Sequence, residues 1–203
     1  MRHLSILSLL ALCAAGLPAC RSGRSQDSVI VAGSTSIQPF ADKWAEVFQA
    51  EHIGLGVSVQ GGGSSAGIQA CFSGACQIGM SSRELKPDEK KLHEIVVARD
   101  GLAIIVHPSN SVRGATLGQV KQIFSGDLRN WKYLGGTDHE IDVVTREEGS
   151  GTRGAFQELV MGKTRIYRGA VTEDSNGTVR EIVAGDPYAV GFISLGLVNE
   201  QVR

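Results

Sequence analysis

The sequence predicts an α/β fold with mixed sheets flanked by helices, and three strand-to-helix junctions of one design predict it. Residues 29–32 (VIVA) read as a short buried strand, broken by Gly33-Ser34-Thr35-Ser36 and followed by a helical pattern with Phe40, Trp44, Val47 and Phe48 at i, i+4, i+7 and i+8. Pro39 suits the first turn of that helix, where its missing N–H costs nothing. Residues 55–60 (LGVSVQ) alternate as a strand, then Gly61-Gly62-Gly63-Ser64-Ser65 leads into a helix with Ile68, Cys71 and Phe72 on one face. Residues 141–145 (IDVVT) form a third strand, followed by Arg146-Glu147-Glu148-Gly149-Ser150-Gly151-Thr152 and a helix carrying Phe156, Leu159 and Val160.

Between and after these units the chain offers further elements. Residues 98–107 (ARDGLAIIVH) read as a long apolar strand, and residues 116–124 as a helix with Leu117, Val120, Ile123 and Phe124 on one face. Trp131 and Tyr133 read as packing residues. Ser175-Asn176-Gly177 opens a helix bearing Val179, Ile182 and Val183, which Asp186-Pro187 ends, and residues 188–194 return as a strand. Residues 86–91 (KPDEKK) alternate in charge and read as a solvated helix face.

Composition narrows the function. In 203 residues, 20 Lys and Arg stand against 21 Asp and Glu, so no net field gathers nucleic acid. With 42% hydrophobic and 20% charged residues the chain is an ordinary globular protein, and its deviation is glycine, 26 residues where usage of about 7% would give roughly half as many. The first 19 residues read as a signal peptide: a basic start, Met1-Arg2-His3, then an apolar run over 4–17 too short to span a bilayer. Leu17-Pro18-Ala19-Cys20 resembles a bacterial lipobox, which makes Cys20 the expected lipidation site and residues 20–27 a solvated tether.

The three junctions share a chemistry. The first N–H groups of a helix have no internal partner, and the helix dipole places about half a positive charge there. Glycine lets the backbone come close and Ser or Thr hydroxyls cap or donate, so converging helix starts surround a small oxyanion, with Arg146 supplying a full charge. A nucleotide-binding P-loop is excluded, because Gly162-Lys163-Thr164 follows a helix instead of preceding one. Gly63-Ser64-Ser65-Ala66-Gly67 satisfies the GxSxG pattern of a serine hydrolase in residues 63–67, yet His93, His107 and His139 stand in no recognisable setting for a base. Cys71 and Cys76 either pair or are two small buried residues, and the scattered His and Cys residues offer no metal-ligand spacing. Glu147 and Glu148 are candidates to pair with Arg146 or Arg153, or to face water.

Taken in order, Gly33-Ser34-Thr35-Ser36, GGGSSAGI from Gly61, IGMSSREL from Ile78, ARDGLAIIV from Ala98, IFSGDLRNW from Ile123, VTREEGSGTR from Val144 and GFISLG from Gly191 resemble the phosphate-binding proteins of the ABC phosphate uptake system, the PstS-like solute-binding lipoproteins. The resemblance runs from Val29 to Arg203. It implies a two-lobed periplasmic-binding-protein fold of type II that closes on inorganic phosphate and serves an ABC permease. No cofactor and no turnover are implied, and the location is the outer side of a bacterial membrane, anchored at Cys20. The phosphate-binding residues it implies are Thr35, Ser36, Ser64, Ser65 and Ser82 from one lobe, with Arg146, Ser150, Gly151 and Thr152 from the other. Some family members carry Asp at the position of Ser82, where a carboxylate accepts the ligand's proton, so sulfate or molybdate remains the alternative ligand. The expected lobes are residues 28–106 with 188–203, and residues 107–187. Family members continue for several dozen residues past the match to Gly191–Arg203, so a chain truncated within the first lobe is expected.

Overall fold

The apolar runs pair into two separate sheets in the computed structural model, which describes residues 28–203. The expected signal peptide (1–19), tether (20–27) and lipidation site Cys20 lie outside the described residues. The first sheet is parallel, with β1 (Ser28–Gly33) between β2 (Gly56–Gln60) and β3 (Ile78–Met80). Helix α1 (Gln38–Glu51) links β1 to β2, and α2 (Ser64–Ser73) links β2 to β3. One crossover leaves β1 on one side and the next returns past it, so right-handed connections place the two helices on opposite faces.

The second sheet has the order β4-β7-β5-β6. β4 (Leu102–Val106) runs antiparallel to β7 (Ala189–Ser194), and β5 (Asp142–Arg146) runs parallel to both β7 and β6 (Val171–Glu173). This differs from the expected lobes, which put residues 102–106 and 188–203 with the first sheet. The reason lies in β7: Val190 and Phe192 face one core with Phe124, Trp131 and Phe156, while Ala189 and Ile193 face the other with Ile105, Val179 and Val183. A strand apolar on both faces demands a central position, and the register Leu102↔Ser194 to Val106↔Val190 supplies one flank while β5 supplies the other. Of the described chain, residues 81–101 make the passage from the first sheet to the second.

The helices follow local sequence signals. α3 (Leu117–Ser125) begins with a capping box, Thr116 accepting the Gln119 N–H while the Gln119 side chain accepts from the Thr116 N–H, and buries Val120, Ile123 and Phe124 but not Leu117. α4 (Gly151–Phe156) runs on as a π-helical turn over Gln157–Met161, whose wider winding buries Met161 and leaves Leu159 66% exposed. α5 (Asn176–Gly185) is capped by Ser175, which accepts the Thr178 N–H. In α1 the small residues Ala41 and Ala45 face inward, and Phe40, Trp44, Val47 and Phe48, expected as the core face, stay between 39% and 53% exposed. Residues 86–91 form turns instead of a helix, and Glu89 within them is buried.

The α2–β1 crossing depends on absent side chains. A Cβ on Gly67 would stand 2.3 Å from the Ala32 carbonyl oxygen and 2.6 Å from Gly33 Cα. Gly67→Ala is therefore expected to destabilise the protein by about 1–3 kcal/mol, outweighing the ~1 kcal/mol that alanine adds in helix propensity. Urea unfolding checks this, and an unchanged or raised midpoint contradicts it.

Candidate functional site

Four helix starts meet where the parallel strands end. The loop after β1 leads into α1, β2 into α2, β5 into α4 and β6 into α5, so each helix points its N-terminus at the carboxyl edge of its sheet, the position where ligands of open α/β sheets bind. Glycine and hydroxyl residues let the two edges touch. A Cβ on Gly151 would lie 2.3 Å from Ser64 Oγ and 2.6 Å from Ser82 Oγ, and Ser65 donates its backbone N–H to the Gly149 carbonyl at 3.1 Å.

The polar contacts between the sheets centre on the first loop. Ser36 Oγ lies 2.7 Å from Thr152 Oγ1, and Asn176 Nδ2 donates to Ser36 Oγ at 3.0 Å and to Thr35 Oγ1 at 3.3 Å. The Asn176 amide is fixed in turn, because its Oδ1 accepts the Ser194 N–H at 3.3 Å. Ser64 Oγ accepts the Ser82 N–H at 3.1 Å and lies 3.4 Å from Ser82 Oγ. Ser36, Ser64, Thr152 and Asn176 are all buried. Hydroxyls and an amide packed together away from water need partners, and here they find them in one another.

Arg146, the last residue of β5, is only 1% exposed. Its Nε and Nη2 reach the two Glu147 carboxylate oxygens at 3.0 and 3.1 Å, a fork-on-fork pairing. Nε also donates to the Glu173 carbonyl at 3.2 Å, and Nη2 to the Asp174 carbonyl at 2.9 Å and to Thr35 Oγ1 at 3.2 Å. Nη1 is buried with no hydrogen-bond partner. Leaving a charged donor unsatisfied costs about 1–3 kcal/mol or more, so this nitrogen is the atom of the cluster whose chemistry calls for an additional acceptor. Glu148 instead lies 3.9 Å from Arg153 with its side chain 93% exposed, which separates the roles of the two neighbouring acids.

The structure thus brings Thr35, Ser36, Ser64, Ser82, Arg146, Gly151 and Thr152 together. Ser65 and Ser150 are adjacent, but their hydroxyls are committed elsewhere: Ser150 Oγ caps α4 by accepting the Arg153 N–H, and Ser65 Oγ accepts from Arg83 Nη2 at 3.3 Å. Asn176 was not anticipated. Its signal was present, since Ser175-Asn176-Gly177 is a fourth junction of the same strand, small polar residue, helix form. A cleft of about 350 Å³ borders the cluster along Thr35, Gly61, Gly62, Glu147 and Ser175. A second cavity, beside Trp131 and Tyr188, has no charged side chain in its lining. The GxSxG reading finds no support in the hydrogen bonds: the side-chain partner of Ser64 is Ser82, and His139 stacks on Tyr188 while His107 bonds Ser109.

The sequence matches the family profile described as a PBP superfamily domain over residues 20–201. The chain belongs to that superfamily. It is 35% identical over 181 residues to the phosphate-binding protein PstS of Bacillus subtilis, a match covering 87% of this chain and 60% of that protein. The chain therefore spans about 60% of the length of that relative. Among solved structures, a phosphate ABC transporter substrate-binding protein from Clostridium perfringens with bound phosphate superposes with a TM-score of 0.83 at 42% identity, covering 86% of this chain and 73% of that one. An ABC-type phosphate transport receptor from Vibrio cholerae gives 0.67 at 39% identity, with 87% and 74% covered. The two-sheet architecture is accordingly the two-lobed binding-protein fold.

One ion pair steadies the passage that leads away from this site. Arg83 grips Glu89 with both terminal nitrogens at 2.7 and 2.8 Å, and the Lys86 N–H adds a third contact at 2.8 Å. Those contacts, the Arg83 hydrogen bonds foremost, hold the Glu89 carboxyl down to about 2 from an ordinary 4.5, against the opposing effect of its burial. A depressed carboxyl stabilises the fold above its unfolded value and loses that contribution as pH falls from 4.5 toward 2. Glu89→Gln should therefore lower the thermal midpoint at neutral pH, with the gap to the parent shrinking as the acid limit of about pH 2 is approached. A gap of constant size across that range contradicts the assignment.

Proposed function

We propose that the chain is the extracytoplasmic substrate-binding component of an ABC transporter and binds one inorganic phosphate between its two sheets, without turnover. The observation that carries this reading is the buried Arg146, whose Nη1 has no partner and whose Nη2 reaches Thr35 Oγ1 in the same cluster as the Ser36, Ser64 and Thr152 hydroxyls. A tetrahedral anion entering there accepts from Nη1, from the helix N–H groups and from those hydroxyls, replacing hydroxyl–hydroxyl contacts with stronger charge-assisted ones. Thr35, Ser36, Ser64, Ser82, Arg146, Gly151, Thr152 and Asn176 are the proposed contacts, while Ser65 and Ser150 shape the loops around them, their backbone N–H groups bonded to the Gly149 and Glu147 carbonyls. Glu147 holds the guanidinium plane, and Asn176 orients the first loop. Ser82 offers a lone pair and no charge, so discrimination against sulfate rests on a weaker acceptor than a carboxylate.

The relatives' names support the ligand: the Bacillus protein is called a phosphate-binding protein and the Clostridium structure holds phosphate. Isothermal titration of the purified protein is expected to give one phosphate per chain, with weaker heats for sulfate and molybdate. Arg146→Ala should cost about 2–5 kcal/mol of binding free energy, against about 1 kcal/mol for Ser64→Ala. Equal losses for the two, or tighter binding of molybdate than of phosphate, contradict the proposal.

The same reading gives the protein a lipid anchor at Cys20, for which the Leu17-Pro18-Ala19-Cys20 sequence is the support. Cys20→Ser is expected to move the protein from the membrane fraction to the soluble fraction, since the acyl chains supply the attachment. A variant that still sediments with membranes shows that another contact holds it.

A further inference from the structure

We propose that Cys71 and Cys76 close into a disulfide that locks the corner between α2 and β3. Their sulfurs lie 3.1 Å apart, inside ordinary non-bonded contact and about 1 Å from bonding distance. The backbone imposes this approach, not the thiols. Gly74 caps α2 in the left-handed conformation at φ +74°, and the Ala75 and Cys76 N–H groups both return to the Ala70 carbonyl, at 2.8 and 3.3 Å. One residue later the Gln77 N–H bonds to the Ile30 carbonyl at 3.0 Å, so Cys76 is pinned on both sides over the last turn of the helix. Gly79 leaves room for the pair, because a Cβ there would stand 2.9 Å from Cys71 Sγ.

Access and chemistry are asymmetric. Cys76 is 4% exposed and Cys71 half-buried, so an oxidant meets Cys71 first. Burial and the neighbouring sulfur push the Cys71 thiol up to about 11, which leaves little thiolate at neutral pH, so exchange with a disulfide-bearing oxidant is slow there and quickens as pH rises. Cys71 sulfur attacks the oxidant's disulfide and expels one thiol. Cys76 sulfur then attacks the mixed disulfide at Cys71 and expels the second, so two electrons and two protons pass to the oxidant as its two thiols. An extracytoplasmic compartment provides such oxidants. The bond would join the helix that starts at Ser64 to the strand that leads to Ser82. Its formation does not depend on what the site binds.

The full chain treated with oxidised glutathione, alkylated in denaturant and digested with trypsin yields a peptide of residues 44–83 containing both cysteines. That peptide is expected unalkylated and lighter by two hydrogens than its reduced form. The oxidised protein should melt roughly 4–8 °C above the reduced protein, as closure of a short loop of about six residues allows, and Cys71→Ser should abolish the difference. Recovery of the peptide with both thiols alkylated after oxidation overturns the proposal, whether or not the variant folds. Equal melting of the two forms overturns the lock.

Discussion

Burying the Arg146 guanidinium imposes the demands that the surrounding structure meets. A fully desolvated charge is tolerable only if it is paired and hydrogen-bonded on all sides. β5 places the residue at its end, Glu147 covers one edge of the fork, and the end of β6 with the residue after it lends the Glu173 and Asp174 carbonyls. The remaining nitrogen has no partner, and through Nη2 the guanidinium joins a cluster to which four helix starts contribute. The charge, the helix dipoles and the hydroxyls all favour the same species, a small oxyanion, so local chemistry and overall topology agree at this point.

The contacts that join the two sheets here are hydrogen bonds: Ser36 to Thr152, Asn176 to Thr35 and Ser36, Arg146 to Thr35, and the Ser65 N–H to the Gly149 carbonyl. Each neutral one is worth about 0.5–1.5 kcal/mol net and the Arg146 bond about 1.5–3 kcal/mol, far less than the apolar packing within each sheet's own core. A binding protein that closes on its ligand needs such a division, with rigid bodies on either side and a junction whose partners a ligand can replace. The glycines serve it by letting backbones approach: Gly151 meets Ser64 and Ser82 directly, and at Gly63, at φ +88°, a Cβ would sit 3.0 Å from Glu147 Oε1.

The junctions were legible in the sequence because glycine, a hydroxyl residue and a following apolar helical period are local signals. Arg146 stood out for the same reason, as a cation inside such a loop. Strand partnership was not legible. The runs at 102–106 and 189–194 are apolar on both faces, which says that they are central and not which sheet they enter, and the structure pairs them with each other in the second sheet. Glu89 hid among the charges of residues 86–91, since only the long-range Arg83 fork distinguishes it from a solvated acid. The uncovered face of α1 ran against periodicity, because Ala41 and Ala45 and not the aromatic residues make the close approach. Asn176 escaped because an asparagine at a helix start reads first as capping chemistry.

Amide hydrogen exchange with and without phosphate tests the convergence of the two sheets on one anion most directly. Saturating phosphate should slow exchange together at residues 35–38, 64–66 and 151–153, because these lie at helix starts contributed by both sheets, and Arg146→Ala should remove the protection at all three. Protection confined to the segments of one sheet, or persisting in Arg146→Ala, would contradict the account.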